Sequence, residues 1–271
     1  MVVLPTTKRV APAIIEPKRL VIFSHYKVGK TSNLGALPNS LIIDLEDGAD
    51  SYACASLNIR RIATEDTDGN VLSALNLVIS MLVKANTEAK KSVYDFIIID
   101  TTSALELIAR NFATYLYKQR PGNQYEGNDV VLELPNGAGW DWLRSAFSRI
   151  YNPLQVLAGK SLILLGHVKS SSINKNGKDL QVNDIMLSGK LKQIVCSDAF
   201  GTGYMYRNYI RAEDGTLKTS QNILSFQTGE LDLATGARSA HLSGKEFIIS
   251  EKSLPDGPVV TYWEKIFPSV I

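Results

Sequence analysis

The residues best suited to chemistry stand together in one stretch, VIFSHYKVGKTSNL, residues 21–34. From Ser24 to Thr31 it reads S-x-x-x-x-G-K-T. A loop that holds a polyphosphate needs inward-pointing backbone N–H groups, a lysine for the outer phosphates and a hydroxyl for Mg²⁺. Gly29, Lys30 and Thr31 fill the demanding positions, and Ser24 stands where a glycine is usual. Ser24, His25, Tyr26, Lys27, Val28, Gly29, Lys30, Thr31 and Ser32 thus form the candidate nucleotide cradle. The competing account is a chance Gly-Lys-Thr in a strand–helix turn. Lys27 keeps two readings, extra charge near phosphate or a solvated side chain.

A nucleotide hydrolase also needs a carboxylate near Mg²⁺ and a group that orients water. Asp100 ends the apolar run FIIID, where a carboxylate is costly unless it has a partner such as a hydrated cation. A helix cap at Asp100, Thr101 or Thr102 is the alternative. Glu46 in LIIDLEDGAD is the candidate for the water, and strand alternation places Asp44 and Glu46 on one side. A solvated acidic turn is the other reading. His167, directly after LILLG, either contacts the γ-phosphate or its water, or is a satisfied core histidine.

These residues need a scaffold of strands and helices. The runs 19–24, 40–46, 94–100 and 160–168 are short and apolar, as buried parallel strands are. A helix is expected from near Lys30, and others over 69–86, 103–119 and 139–157, the last broken near Pro153. The order βαβα implies a parallel sheet covered on both faces. Residues 120–137 read as a loop or lid, and 169–184 as a polar loop. Strands and hairpins are expected beyond it. Prolines make residues 1–18 an extended arm. Ligands of open α/β sheets sit at the carboxyl ends of the strands, where Glu46 falls.

Composition sets bounds. The chain has 271 residues, 45% hydrophobic and 21% charged, an ordinary globular balance. A net charge of +2 does not by itself point to nucleic acid. Two distant cysteines and three scattered histidines offer neither a disulfide framework nor zinc spacing, which favours a cytoplasmic location. No apolar run reaches the roughly 18 residues of a membrane span, and the first residues lack the order of a signal peptide.

The order of motifs resembles the RecA-like recombinase ATPases, most closely the small phage members that act in single-strand annealing. In that family the strand after the phosphate loop ends Asp-Ala-Glu; here it is Asp44-Leu45-Glu46. The family's Mg²⁺ strand ends Asp-Ser before Ala-Ala-Leu; here Asp100-Thr101-Thr102-Ser103-Ala104-Leu105. His167 stands where the family has a sensor glutamine that leads into a DNA-binding loop. The likeness covers roughly residues 19–226. It implies an α/β fold, a RecA-like P-loop NTPase core with a mostly parallel central sheet flanked by helices; residues 227–271 are expected to add a C-terminal β-hairpin extension packed on that core. It implies ATP and Mg²⁺, with Thr31 and Asp100 at the metal, Glu46 as water-activating base, Lys30 and His167 at the γ-phosphate, and Tyr52 weakly as the adenine-stacking ring. The bacterial recombinase's long terminal domains have no counterpart in these residues, so single-strand binding or annealing is expected over strand exchange.

The resemblance also implies partners: single-stranded DNA, further copies of the chain in a ring or filament, and a single-strand DNA-binding protein. A phage-encoded chain would work in the host cytoplasm. The loop after His167 carries Lys169, Lys175, Lys178 and Lys190. By composition it is equally a solvated loop; the resemblance tips it towards DNA. In GYMYRNYIR the tyrosines and arginines can stack bases, although packing is favoured for Tyr204 and Tyr206. Arg238 is the candidate arginine finger for a neighbour's nucleotide. Two rivals stand beside DNA-dependent ATP hydrolysis. One is a small-molecule kinase; the other is a non-catalytic nucleotide-binding assembly or packaging subunit.

Overall fold

In a computed structural model, the apolar runs become strands whose alternate residues enter different cores. The structure describes residues 12, 14–121, 131–175, 177–228 and 235–270. In chain order the elements are β1 (Arg19–Ser24), α1 (Lys30–Leu34), β2 (Ser40–Asp44), β3 (Ser56–Asn58), α2 (Ile59–Asp66), α3 (Val71–Ala89), β4 (Phe96–Asp100), α4 (Thr102–Lys118) and α5 (Gly139–Leu154). Then follow β5 (Ser161–Lys175), β6 (Lys178–Ile185), α6 (Lys190–Asp198), β7 (Gly201–Arg211), β8 (Leu217–Ser225), β9 (Gly236–Ala237), β10 (Glu246–Ser253) and β11 (Val259–Thr261).

The main path through the sheet is β11-β10-β8-β7-β1-β5-β4-β2-β3. From β7 to β3 every pairing is parallel; β8, β10 and β11 continue it antiparallel. This is the mostly parallel, helix-flanked sheet expected, with the antiparallel strands of the C-terminal part added at one edge.

The period of two along each strand divides the core. Val21, Phe23, Leu41, Ile43, Ile97, Ile99, Leu162 and Leu164 pack under α2–α6. Leu20, Ile22, Ile42, Phe96, Ile98, Ile163 and Leu165 face the other way. Only five residues long, α1 cannot cover that second face by itself. Trp263, Ile266 and Phe267 complete the cover, so residues beyond 226 share a sheet and a core with the strands before them.

The structure corrects one expectation outright. The polar stretch 169–184 is not a loop: β5 runs on past His167 and turns back as β6, with Val168 opposite Ile185 and Lys175 opposite Lys178. The strands expected at 40–46 and 94–100 are shorter at one end, Ser40–Asp44 and Phe96–Asp100. The 139–157 helix ends at Leu154 and keeps Pro153 in its last turn. Of the expected arm, residues 1–11 and 13 lie outside the described residues, as do 122–130 of the expected lid. Among the described residues no helix is long and apolar enough to cross a membrane.

Candidate nucleotide site

The phosphate loop joins β1 to α1, and its backbone is shaped for close approach. Gly29 sits at φ 99°, a region that side chains rarely adopt. A Cβ there would stand 3.1 Å from Asn33 Nδ2 and 3.2 Å from Ser32 Oγ. Lys27 also adopts a positive φ of 61°. The Gly29 carbonyl accepts from Asn33 Nδ2 at 2.6 Å and from Ser32 Oγ at 3.1 Å. Val28's carbonyl accepts from Arg207 Nη2 at 2.7 Å.

Ser24 does more than fit where glycine is usual. Buried at the end of β1, its Oγ accepts from Lys30 Nζ at 3.0 Å and donates to the His25 carbonyl at 2.8 Å. Lys30 Nζ also donates to that carbonyl at 3.3 Å. The lysine is thus curled into its own loop, its ammonium held by the loop's own oxygens. Burial lowers its pKa, opposed by the charges of Asp100 and Glu46.

Parallel register places the remaining groups around it. Strand β5 lies between β1 and β4, and Ser24 is opposite His167. Asp100 ends β4, and Thr31 Oγ1 donates to its Oδ2 at 2.6 Å. Burial raises the Asp100 pKa, and the Thr31 bond opposes the rise. A buried carboxylate beside a hydroxyl is an oxygen set that suits a hard divalent ion. Thr31 and Asp100 therefore fit Mg²⁺.

Glu46 follows β2 and reaches back across β4. Its Oε1 accepts from Thr101 Oγ1 at 2.6 Å, and its Oε2 lies 3.1 Å from His167 Nε2. The other ring nitrogen, Nδ1, lies 3.5 Å from Lys30 Nζ. An ammonium can only donate, so Nδ1 is the acceptor and Nε2 carries the proton given to Glu46. That hydrogen bond is the main cause of a lowered Glu46 pKa, ahead of burial, which opposes it.

Lys30, Thr31, Asp100, Glu46 and His167 thus meet at the carboxyl ends of β1, β2 and β4, where β5 carries His167 past them. The Tyr26 ring, largely exposed, lies over His167 at 4.4 Å between centroids. Asp44 does not join Glu46 at the site. Its buried carboxylate accepts from the backbone N–H groups of Glu46 and Ala49 and shapes the turn between them. Tyr52 lies beyond β2 and is 45% exposed. Arg238 is at the other end of the sheet, where its guanidinium bonds the Ser197 carbonyl and lies 5.9 Å from the Phe200 ring centroid.

Lys169 leaves the site on β5 and lines a cavity of about 570 Å³ with Glu106, Arg110, Trp140 and Ser188. Lys190 begins α6. The side chains of Lys175 and Lys178 lie outside the described residues. Tyr204 packs on Phe23 and stacks on Tyr206 at 5.9 Å, the packing favoured for this pair.

Three contributors escaped the sequence reading. Thr101 appeared there only as a helix cap, a role it has for α4, yet it also holds Glu46. The partner of Arg207 on the loop depends on sheet order, which no local pattern encodes. Trp263 Nε1 donates to the Asn33 carbonyl of α1 at 2.8 Å, 230 residues away.

With this geometry in place, comparison with known families is informative. A family model described as an AAA domain matches residues 16–234. The chain belongs to this AAA-domain family. It is a P-loop NTPase family, so the membership supports nucleotide-binding ATPase activity with a nucleotide and typically Mg²⁺. No curated protein matches the chain.

Proposed function

We propose that this AAA-domain protein hydrolyses ATP while acting on single-stranded DNA, in phage-type recombination, annealing or replication. The observation that carries the reading is the continuity of β5. One strand holds His167 against Glu46 and Lys30, then enters the β5–β6 hairpin at the next residue, Val168. A change at the γ-phosphate therefore has a rigid route to a surface outside the nucleotide site.

In the proposed reaction Glu46 takes a proton from water as the water oxygen attacks the γ-phosphorus. The bond to the bridging oxygen breaks, ADP leaves with that electron pair, and Lys30 neutralises charge on the phosphate. Mg²⁺ bound at Thr31 and Asp100 would neutralise phosphate charge as well. His167 keeps Glu46 ionised and senses whether Lys30 is engaged. Beyond it, Lys169, Arg110 and Trp140 combine cations with an aromatic ring, the pairing that holds single strands through phosphate and base. Lys175, Lys178 and Lys190 would extend the contact.

Further copies of the chain, in a ring or filament, and a single-strand DNA-binding protein are the partners of this reading. Arg238 lies at the opposite end of the sheet from its own loop, so a finger role there serves a neighbour's nucleotide. The cavity beside Ser103 also gives a kinase reading its acceptor pocket.

The test is ATP turnover with and without single-stranded DNA, on wild type and Lys30→Ala. Turnover that rises with DNA and disappears in the variant is expected. Phosphate found on a small acceptor would favour the kinase, and binding without turnover the assembly subunit. Turnover indifferent to DNA would remove the nucleic-acid role.

A further inference from the structure

The hydrolytic groups all lie on one side of β1. His167, Asp100 and Glu46 come from β5, β4 and β2, the next three strands in that direction. On the reading that the loop binds a nucleoside triphosphate, the terminal phosphate must lie on that side. The phosphate chain then crosses the loop, and the nucleoside emerges on the other side, towards β7.

A cavity of about 310 Å³ stands there, lined by Ser32, Arg207, Tyr209, Asn222, Ser250 and Lys252 among others. Its floor is one face of the antiparallel strands. Arg207 is opposite Asn222, which is opposite Ser250; Tyr209 is opposite Ser220, which is opposite Lys252. One pair further along the same face, two residues before Arg207 and two after Asn222, Met205 and Leu224 are buried in the core beneath α1. The face therefore turns from apolar to polar where the cover of α1 ends, beside the phosphate loop.

The floor is already ordered. Arg207 Nε donates to Asn222 Oδ1 at 3.2 Å, and Asn222 Nδ2 donates to Ser250 Oγ at 3.2 Å. The same guanidinium ties the floor to the loop through the Val28 carbonyl and stands 3.3 Å from the Cβ position of Gly29. Tyr209, an aromatic ring among the lining residues, is 49% exposed. The volume falls at the small end of the roughly 300–1,000 Å³ of ligand pockets, the size for a nucleoside without its phosphates.

We infer that this cavity holds the nucleoside of the bound nucleotide, with its base on the Tyr209 ring and Arg207 beside the inner phosphate. This deepens the ATPase reading and rests on it. It also moves the base away from Tyr52, which follows β2 on the hydrolytic side of β1.

The experiment compares equilibrium binding of ADP and of inorganic tripolyphosphate to the full chain. Variants are Tyr209→Ala, Asn222→Ala, Tyr52→Ala and Lys30→Ala, each checked for an unchanged melting curve. Loss of one stacking ring should weaken ADP by about tenfold or more. Tyr209→Ala should do so and leave tripolyphosphate within about twofold, since ring removal touches no phosphate. Asn222→Ala should behave alike to a smaller degree, Tyr52→Ala should change neither, and Lys30→Ala should weaken both. Weakening of ADP by Tyr52→Ala with none by Tyr209→Ala overturns the inference while the phosphate loop stands. ADP and tripolyphosphate binding that both survive Lys30→Ala would overturn the loop reading and the pocket with it.

Discussion

Glu46 and His167 meet at 3.1 Å although β4 separates the strands that deliver them. The same imidazole lies 3.5 Å from Lys30 Nζ. One ring therefore connects the residue proposed to activate water with the residue proposed to bind the γ-phosphate. A nucleotide that draws Lys30 outward removes the donor to Nδ1, and that loss reaches Glu46 through the ring.

Replacing Glu46 by Gln keeps the shape and removes the base. Steady-state ATP turnover should fall about 10²–10⁴-fold, the usual share of a positioned base. ATP affinity should change little, because Lys30, Thr31 and the loop remain. Intact turnover in Glu46→Gln would show that the base is assigned wrongly.

In the proposed reaction His167 acts through Glu46, so its signature is a pH profile. The hydrogen bond from His167 holds the Glu46 pKa down. The active form is the carboxylate, so activity is lost as pH falls through that depressed value. In His167→Ala the acid limb of kcat/KM should move to higher pH. His167→Gln, which can still donate, should move it less. An acid limb that stays in place in both variants would remove the positioning role.

The buried carboxyl of Asp100 bears on stability. Its folded pKa is raised by burial, so ionisation costs folding free energy. The cost begins as pH rises through the unfolded value of about 3.9 and is complete above the folded value. At neutral pH Asp100→Asn should be more stable, with Tm higher by about 2–4 °C for each kcal/mol recovered. The gain should vanish in acid below about pH 3.5, where both forms are neutral. Turnover should be lost in the same protein. Thermal melts at two pH values beside an ATPase assay check this, and a lower Tm at neutral pH would contradict it.

Trp263 is buried against α1 and gives its indole N–H to the Asn33 carbonyl. Trp263→Ala removes a large core side chain and should cost about 3–5 kcal/mol in urea unfolding. It also leaves a buried carbonyl without that donor, so nucleotide affinity should fall even where the protein remains folded. Unchanged unfolding in urea would show that the C-terminal cover is dispensable to the second core.

Much of this was legible beforehand because strand ends are marked by a change of residue type. Four isoleucine and phenylalanine positions before Asp100, and four apolar positions and a glycine before His167, mark where the chain meets the site. The hairpin was missed because β5 and β6 carry serine, asparagine and lysine where strands usually carry β-branched residues. The dipeptide Asn176-Gly177, a strong hairpin signal, was the clue available. Asp44 was misread because alternation applies within a strand, whereas Glu46 lies beyond its end. The partners of Arg207 and Trp263 could not be read, although Arg207 stood among the candidate base-stacking residues. Their contacts depend on which strands become neighbours, and sheet order is a property of the whole chain.

The bond between Trp263 and Asn33 has a consequence for the protein's synthesis. The phosphate loop leaves the ribosome first, and the indole that braces its helix follows 230 residues later. At about 5–20 residues per second that interval is on the order of tens of seconds. A nascent chain thus carries the complete S-x-x-x-x-G-K-T stretch long before it has a finished pocket. The helix behind the loop gains this brace only after that interval.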